Sequence, residues 1–372
     1  NLCSLKFAIE NIHFPMSPEA FHKAKERLVF EELFVLQTAL AIIKFKAHLK
    51  SGCLVTKNSF EAFKQSLPFE MTNAQKRVVN ECIADMQSGR PMTRLVQGDV
   101  GSGKTAVAAA LCFVMARQGY QAALMAPTEI LAIQHYETLS KILEPLGISC
   151  TLLTGSTPKK QKAERQFTIS SGESSVVIGT HALLSDNVEF KNLALVITDE
   201  QHRFGVAQRT RLAEKGKTTH TLVMSATPIP RTLGLVIYGD LDVSIIDEYP
   251  RGRGQIESYC VTGALRKRVY NYIKKHLDEG RQGYIVCPLV EESETADLNS
   301  AIEYAEKLKT GEFKNYTVGI LHGKQKAKEK DSVMRAFKAG EIQLLVCTTV
   351  VEVGIDVPNA TIMVIENAER FG

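Results

Sequence analysis

Gly98-Asp99-Val100-Gly101-Ser102-Gly103-Lys104-Thr105 follows the apolar run Leu95-Val96-Gln97 and precedes a helical run from Ala106 to Arg117. The spacing G-x-x-x-x-G-K-[ST], set between a strand and a helix, is that of a phosphate-binding loop. Its glycines let the backbone wrap closely, so that N–H groups and the helix N-terminus face phosphate oxygens. In such a loop Lys104 neutralises charge on the β- and γ-phosphates, and the Thr105 hydroxyl ligates Mg²⁺. ATP and Mg²⁺ are therefore the expected cofactors, with Gly98, Gly101, Ser102 and Gly103 completing the cradle.

Outward from that loop, short β-rich runs alternate with helical stretches. Arg94–Gln97, Ala122–Ala126, Ser149–Leu153, Val176–Gly179, Leu193–Thr198 and Thr221–Met224 predict strands. Strands separated by helices make βαβ units and a buried parallel sheet. After the Pro/Gly/Arg-rich stretch Pro250-Arg251-Gly252-Arg253-Gly254 the alternation restarts, with Gln282–Cys287, Tyr316–Leu321, Ile342–Cys347 and Thr361–Glu366. Ahead of both, Ser17-Pro18-Glu19 opens a helix whose apolar positions Phe21, Leu28, Phe30, Leu33, Leu36, Leu40 and Ile43 run mostly at three- and four-residue intervals. The expected organisation is an α/β chain: a helical segment over 1–66, a first lobe over 67–249 and a second over 250–372.

The second half of a phosphate-transfer site is legible at other strand ends. Leu193–Thr198 runs into Asp199-Glu200-Gln201-His202. A carboxylate leaving the C-terminal end of a buried strand sits where ligands bind in such sheets. Asp199 is expected to reach Mg²⁺, and Glu200 to orient and deprotonate the attacking water. Ser225-Ala226-Thr227 follows a further strand and is placed to sense Glu200, His202 and the phosphates. Pro127 and Thr128, and Gly179 and Thr180, end two more strands and offer hydroxyls and N–H groups to a phosphate backbone. Thr348 and Thr349 end a strand of the second half. Taken singly, each of these is an ordinary βα loop.

Composition excludes several classes. At 372 residues the chain is too long for one ordinary core, and 44% hydrophobic with 23% charged residues is typical of soluble globular proteins. No apolar run approaches the ~20 residues needed to span a bilayer, and no signal peptide is evident at the N-terminus. A net charge of +4 does not by itself argue for nucleic acid. Basic runs at Lys159-Lys160, Arg266-Lys267-Arg268 and Lys324 to Lys330 read as solvated faces. The eight cysteines stand singly with no C-x-x-C, which speaks against zinc and disulfides and for reduced thiols in a cytoplasmic protein.

Together these stretches resemble the superfamily-two helicases. Gly98–Thr105 stands as motif I, Ala126-Pro127-Thr128 as Ia, Asp199–His202 as II, Ser225–Thr227 as III, and Thr348-Thr349 through Val353-Gly354-Ile355-Asp356 as V. The nearer resemblance is to the RecG family of bacterial branched-DNA helicases, carried by Asp199–Gly205 (DEQHRFG), Ser225–Leu233 (SATPIPRTL), Val353–Ala360 (VGIDVPNA) and Glu366–Gly372 (ENAERFG). Phe30-Glu31-Glu32-Leu33-Phe34 on the long helix looks like that family's linker between wedge and motor.

The resemblance implies two RecA-like parallel-sheet lobes closing on ATP, behind a long linker helix. It implies Gln75 as the adenine-reading glutamine with Phe69 beside the base, and Gly354 and Asp356 as nucleotide contacts from the second lobe. His202 joins Lys104, Asp199 and Glu200 as catalytic. Phe204 is read either as an aromatic coupling DNA to hydrolysis or as a buried core residue. Arg203, Arg209 and Arg231 contact DNA or stabilise inter-lobe loops; the sequence does not choose. The implied function is an ATP-dependent DNA translocase remodelling stalled forks and Holliday junctions in recombination and repair, monomeric and bacterial (nucleoid-associated), with single-strand-binding protein a further partner. A transcription-repair coupling translocase, an RNA helicase and a non-catalytic nucleotide-binding module are the alternatives. Departures accompany the likeness: no motif VI follows Gly372, and neither a translocation hairpin nor an N-terminal wedge is present. The second lobe is thus expected to be truncated, and turnover by these residues alone to be slow. Thr198, before Asp199, replaces a larger apolar residue.

Overall fold

A computed structural model of the chain describes residues 2–48, 51–199, 206–226, 241–250, 256–287, 294–348 and 357–370. The chain divides into two compact units, residues 1–253 and 254–372.

The first unit begins with helices α1 (Leu5–His13) and α2 (Pro18–His48). Ser17 opens α2 by accepting from the Ala20 N–H at 3.1 Å, and Pro18 takes the first helical position, where no N–H is needed. α1 escapes the sequence reading because it is short; Ser4 caps it by accepting from Phe7 N–H. Helices α3 (Phe60–Ser66) and α4 (Asn73–Gln87) lead into β1 (Thr93–Gly98) and α5 (Lys104–Arg117). There follow β2 (Gln121–Met125), α6 (Glu129–Leu143), β3 (Cys150–Leu153), α7 (Lys159–Ser171), β4 (Val176–Gly179), β5 (Leu193–Thr198), α8 (Val206–Ala213), β6 (His220–Ser225) and β7 (Asp242–Ile246). Among the described residues these seven strands form one parallel sheet, in the order β3-β4-β2-β5-β6-β1-β7. Its edge strand β7 is an addition to the sequence reading: it is short and half-polar, pairs with β1, and is bonded from α4 through Arg77 to the Ile245 carbonyl.

Every residue of α5 from Ala106 to Met115 is buried. The sequence allows this because the helix is apolar all round, which suits a central element rather than a surface one. Each of Leu111, Val114 and Met115, fully buried, contributes about 1.5–3 kcal/mol relative to exposure. Phe63 of α3 packs on Phe113 with ring centroids 5.4 Å apart. The loop ahead of α5 is therefore mounted on the most deeply set helix of the unit.

In the second unit, α9 (Arg266–Asp278), β8 (Gln282–Cys287), α10 (Glu294–Thr310), β9 (Val318–Leu321), α11 (Ala327–Lys338), β10 (Leu344–Thr348) and β11 (Ala360–Ile365) alternate. The strands form a second parallel sheet, order β11-β8-β10-β9. Its core joins Ile273 and Leu277 of α9 to Ile285, Leu344 and Val346 of the sheet and to Phe313. The α/β fold with two parallel sheets expected from the alternation is the fold observed.

Candidate nucleotide and nucleic-acid site

Because each sheet is parallel, all its strands end on one edge. In the first unit that edge carries the loop after β1, Pro127 and Thr128 after β2, Thr180 after β4, Asp199 after β5 and Ser225 at the end of β6. β6 lies between β5 and β1, so Ser225 stands between Asp199 and the phosphate loop.

Gly101 (φ +78°) and Gly103 (φ +87°) hold the loop in the left-handed region that a side chain disfavours. A Cβ on Gly98 would lie 2.6 Å from Ser102 Oγ, and one on Gly103 would overlap Gln75 Nε2. Gly103 is the N-cap of α5, which puts Lys104 and Thr105 in the first turn, where N–H groups lack helical acceptors. Ser102 is 1% exposed, and among the described residues its hydroxyl has no partner. The Lys104 ammonium is not free in solvent: it donates to the Gly98 carbonyl at 2.8 Å and the Asp99 carbonyl at 3.1 Å.

Gln75 is turned inward and 2% exposed. It is the third residue of a capping box: Thr72 Oγ1 accepts from Gln75 N, and Gln75 Oε1 accepts from Thr72 N at 3.0 Å. Its Nε2 donates to the Ser102 carbonyl at 2.8 Å. The residue expected to read a base thus grips the phosphate loop itself. Thr72-x-x-Gln75 is a capping-box signature, so the sequence carried that signal. Phe69 lies ahead of α4, 46% exposed. The end of β7 and the chain after it are tied to α4 and the phosphate loop. Arg77 donates to the Ile245 carbonyl and to Asp247, Glu248 accepts from Ala74 N–H at 3.1 Å, and Tyr249 O–H donates to Asp99.

Asp199 is 8% exposed, and its backbone N–H donates to the Met125 carbonyl at 3.0 Å. Its Oδ2 lies 2.7 Å from His135 Nε2 on α6, a residue the sequence reading passed over.

Gly179 and Thr180 are buried rather than presented. A Cβ on Gly179 would overlap the Leu153 carbonyl, and the Gly179 carbonyl accepts from Ala126 N–H. Close strand approach accounts for that glycine. Thr180 is 1% exposed. Thr128 serves as N-cap of α6, accepting from Leu131 N–H at 3.4 Å, with Pro127 half-buried beside it. Ser225 is 3% exposed, and Thr348, at the end of β10 in the second unit, is 1% exposed. What the β3–β4 side presents to solvent instead is a cavity of about 450 Å³ lined by Gly155, Lys162, His181, Ser185, Asp186 and Arg211 among others. Arg211 donates to Asp186 at 2.7 Å and holds that carboxyl below its usual range. Lys162 and Arg211 are distant in sequence, so only the fold joins them. Glu200, His202, Arg203, Phe204, Arg231, Thr227, Thr349, Gly354 and Asp356 lie outside the described residues, as does the side chain of Arg209.

The DEAD/DEAH box helicase family matches residues 72–236, and the helicase conserved C-terminal domain matches residues 265–370. The ATP-dependent DNA helicase RecG of Bacillus subtilis is 48% identical over 368 residues, 98% of this chain and 54% of that protein. RecG of Thermotoga maritima is 48% identical over 374 residues, 100% of this chain and 48% of that protein. A solved structure of RecG bound to a three-way DNA junction matches with TM-score 0.85 at 45% identity, covering 98% of this chain and 48% of that one. Over its whole length the chain is similar to the RecG helicases. It spans about half the length of the curated RecG relatives it matches. Mss116p bound to single-stranded RNA, at TM-score 0.61 and 20% identity, shares the fold. Among the described residues, no helix is long and apolar enough to cross a membrane.

Proposed function

We propose that this chain is the motor of an ATP-dependent DNA helicase acting on branched double-stranded DNA, forks and Holliday junctions included. The observation that carries the reading is the shared sheet edge: a phosphate loop with two left-handed glycines at the end of β1, and a buried carboxylate, Asp199, at the end of β5. RecG relatives of nearly half identity over the whole chain, one of them solved on a three-way junction, favour DNA over RNA as the track.

The residues fit a magnesium nucleotide. Thr105 and Asp199 offer the hard oxygen donors that Mg²⁺ takes, and when bound the ion would offset charge on the phosphates. Lys104 would exchange the Gly98 and Asp99 carbonyls for phosphate oxygens, and first-turn N–H groups of α5 would add theirs. Gln75 holds the Ser102 carbonyl, and so keeps the loop shaped before nucleotide arrives. Glu200 would accept the proton of the attacking water. Phosphates of the DNA backbone would lie along the edge that presents Lys162, His181 and Arg211, giving binding that is independent of sequence and sensitive to salt. In this reading residues 1–66 join the motor to a structure-selecting element.

The test is strand separation of a labelled three-way junction by the chain extended to its relatives' length. Unwinding that needs both ATP and Mg²⁺, and is lost in Lys104→Ala, supports the reading. Junction binding without nucleotide-dependent strand separation or junction movement would sink it.

A further inference from the structure

We propose that His135 is a positioning residue for the metal-holding carboxylate Asp199, an inference that rests on the assignment of Asp199 above. On α6 the buried residues Leu131, Ala132, Leu139 and Leu143 form an apolar stripe, and His135 stands in its middle, four residues from Leu131 and four from Leu139. A stripe of that kind is filled by aliphatic side chains unless a polar ring has a partner. Here the partner is Asp199: His135 is 7% exposed, Asp199 is 8% exposed, and Nε2 lies 2.7 Å from Oδ2.

An ionised carboxylate can only accept, so Nε2 carries the proton and donates. The Asp199 N–H is already spent on the Met125 carbonyl. Backbone and one carboxylate oxygen are thereby fixed, and the other oxygen, Oδ1, is the one assigned to a cation. Holding the side chain in one rotamer before the cation binds removes ordering that binding would otherwise have to supply. Hydrogen-bond partners of ligating carboxylates typically change metal affinity 10–100-fold when removed.

The experiment measures Mg²⁺ affinity rather than turnover. A fluorescent ADP analogue is bound to the chain in EDTA, then Mg²⁺ is titrated in; Mn²⁺ binding followed by electron paramagnetic resonance is the second readout. His135→Leu keeps the stripe apolar and should raise the Mg²⁺ concentration for half-saturation about 10–100-fold, with Mg²⁺-free ADP binding unchanged. His135→Gln, whose amide can still donate, should recover most of the loss. Asp199→Asn separates the two ideas. If Asp199→Asn raises the Mg²⁺ requirement and folded His135→Leu does not, the positioning role is overturned and the metal assignment stands. If Asp199→Asn leaves the requirement unchanged, the metal assignment falls. Should His135→Leu fail to fold, His135→Met, which also removes the donor, is compared in the parent and Asp199→Asn backgrounds: an effect confined to the parent supports the proposal, and equal effects in both overturn it.

Discussion

Gly103→Ala tests whether the phosphate loop is shaped by Gln75. Alanine at φ +87° costs about 1–2 kcal/mol, because Cβ crowds the following carbonyl in the left-handed region. The new Cβ also overlaps Gln75 Nε2, which can escape only by releasing the Ser102 carbonyl. Leaving that buried amide unpaired costs a further ~1–3 kcal/mol. The total is about 2–5 kcal/mol. In a Gln75→Ala background the overlap is gone and only the backbone cost remains, so the two substitutions should couple by about 1–3 kcal/mol. Hydrogen–deuterium exchange of α5 amides under increasing urea reads the first unit alone. Effects additive within ~0.5 kcal/mol would refute the docking of Gln75 on the loop.

Three further outcomes are expected. Arg94, with a side chain 12% exposed, donates to Asp85 at 2.8 Å, to Ser244 at 2.8 Å and to Glu81 at 3.3 Å; Arg94→Met should destabilise the first unit by about 2–4 kcal/mol in urea unfolding, and a loss below ~0.5 would show the network to be inert. His220, fully buried, accepts from Met92 N–H through Nδ1 and donates from Nε2 to the Cys53 carbonyl, and burial lowers its pKa. The unfolded chain then binds the proton first, so stability should fall as pH drops below ~6.5, by at most ~1.4 kcal/mol per unit for this group; a pH 5.5 to 7.5 series in which His220→Asn keeps the parent's slope would contradict it. Lys162→Glu with Arg211→Glu should weaken binding to duplexes of any sequence and reduce the slope of log K against log salt by about 1–2, whereas an unchanged slope would remove this cavity from the DNA path.

The strands of both sheets were legible because buried parallel strands are continuous apolar runs, and the phosphate loop because its chemistry is local. β7 was not, since Asp242-Val243-Ser244 lacks such a run and owes its pairing to β1. The candidate site was legible one strand end at a time, but its internal wiring was not. His135, within Ile133-Gln134-His135-Tyr136, has nothing local to mark it; only the packing of α6 across the sheet edge brings it to Asp199. Gln75 carried a capping signature, yet that signature says where a helix starts and not that the amide's other end reaches Ser102. Gly179 shows the converse. A strand-end glycine read as a phosphate contact is fixed in place by the Leu153 carbonyl, a neighbour two strand ends cannot announce in advance.

In the function proposed, one sheet edge binds and splits Mg·ATP under the control of branched DNA. The most direct measurement is steady-state ATP hydrolysis, with and without a three-way junction, by the chain extended to its relatives' length and by Lys104→Ala. Junction-stimulated turnover in the parent, reduced at least about 10²–10³-fold in Lys104→Ala, is the predicted result. Equal turnover in the two proteins, or hydrolysis indifferent to the junction, would contradict it.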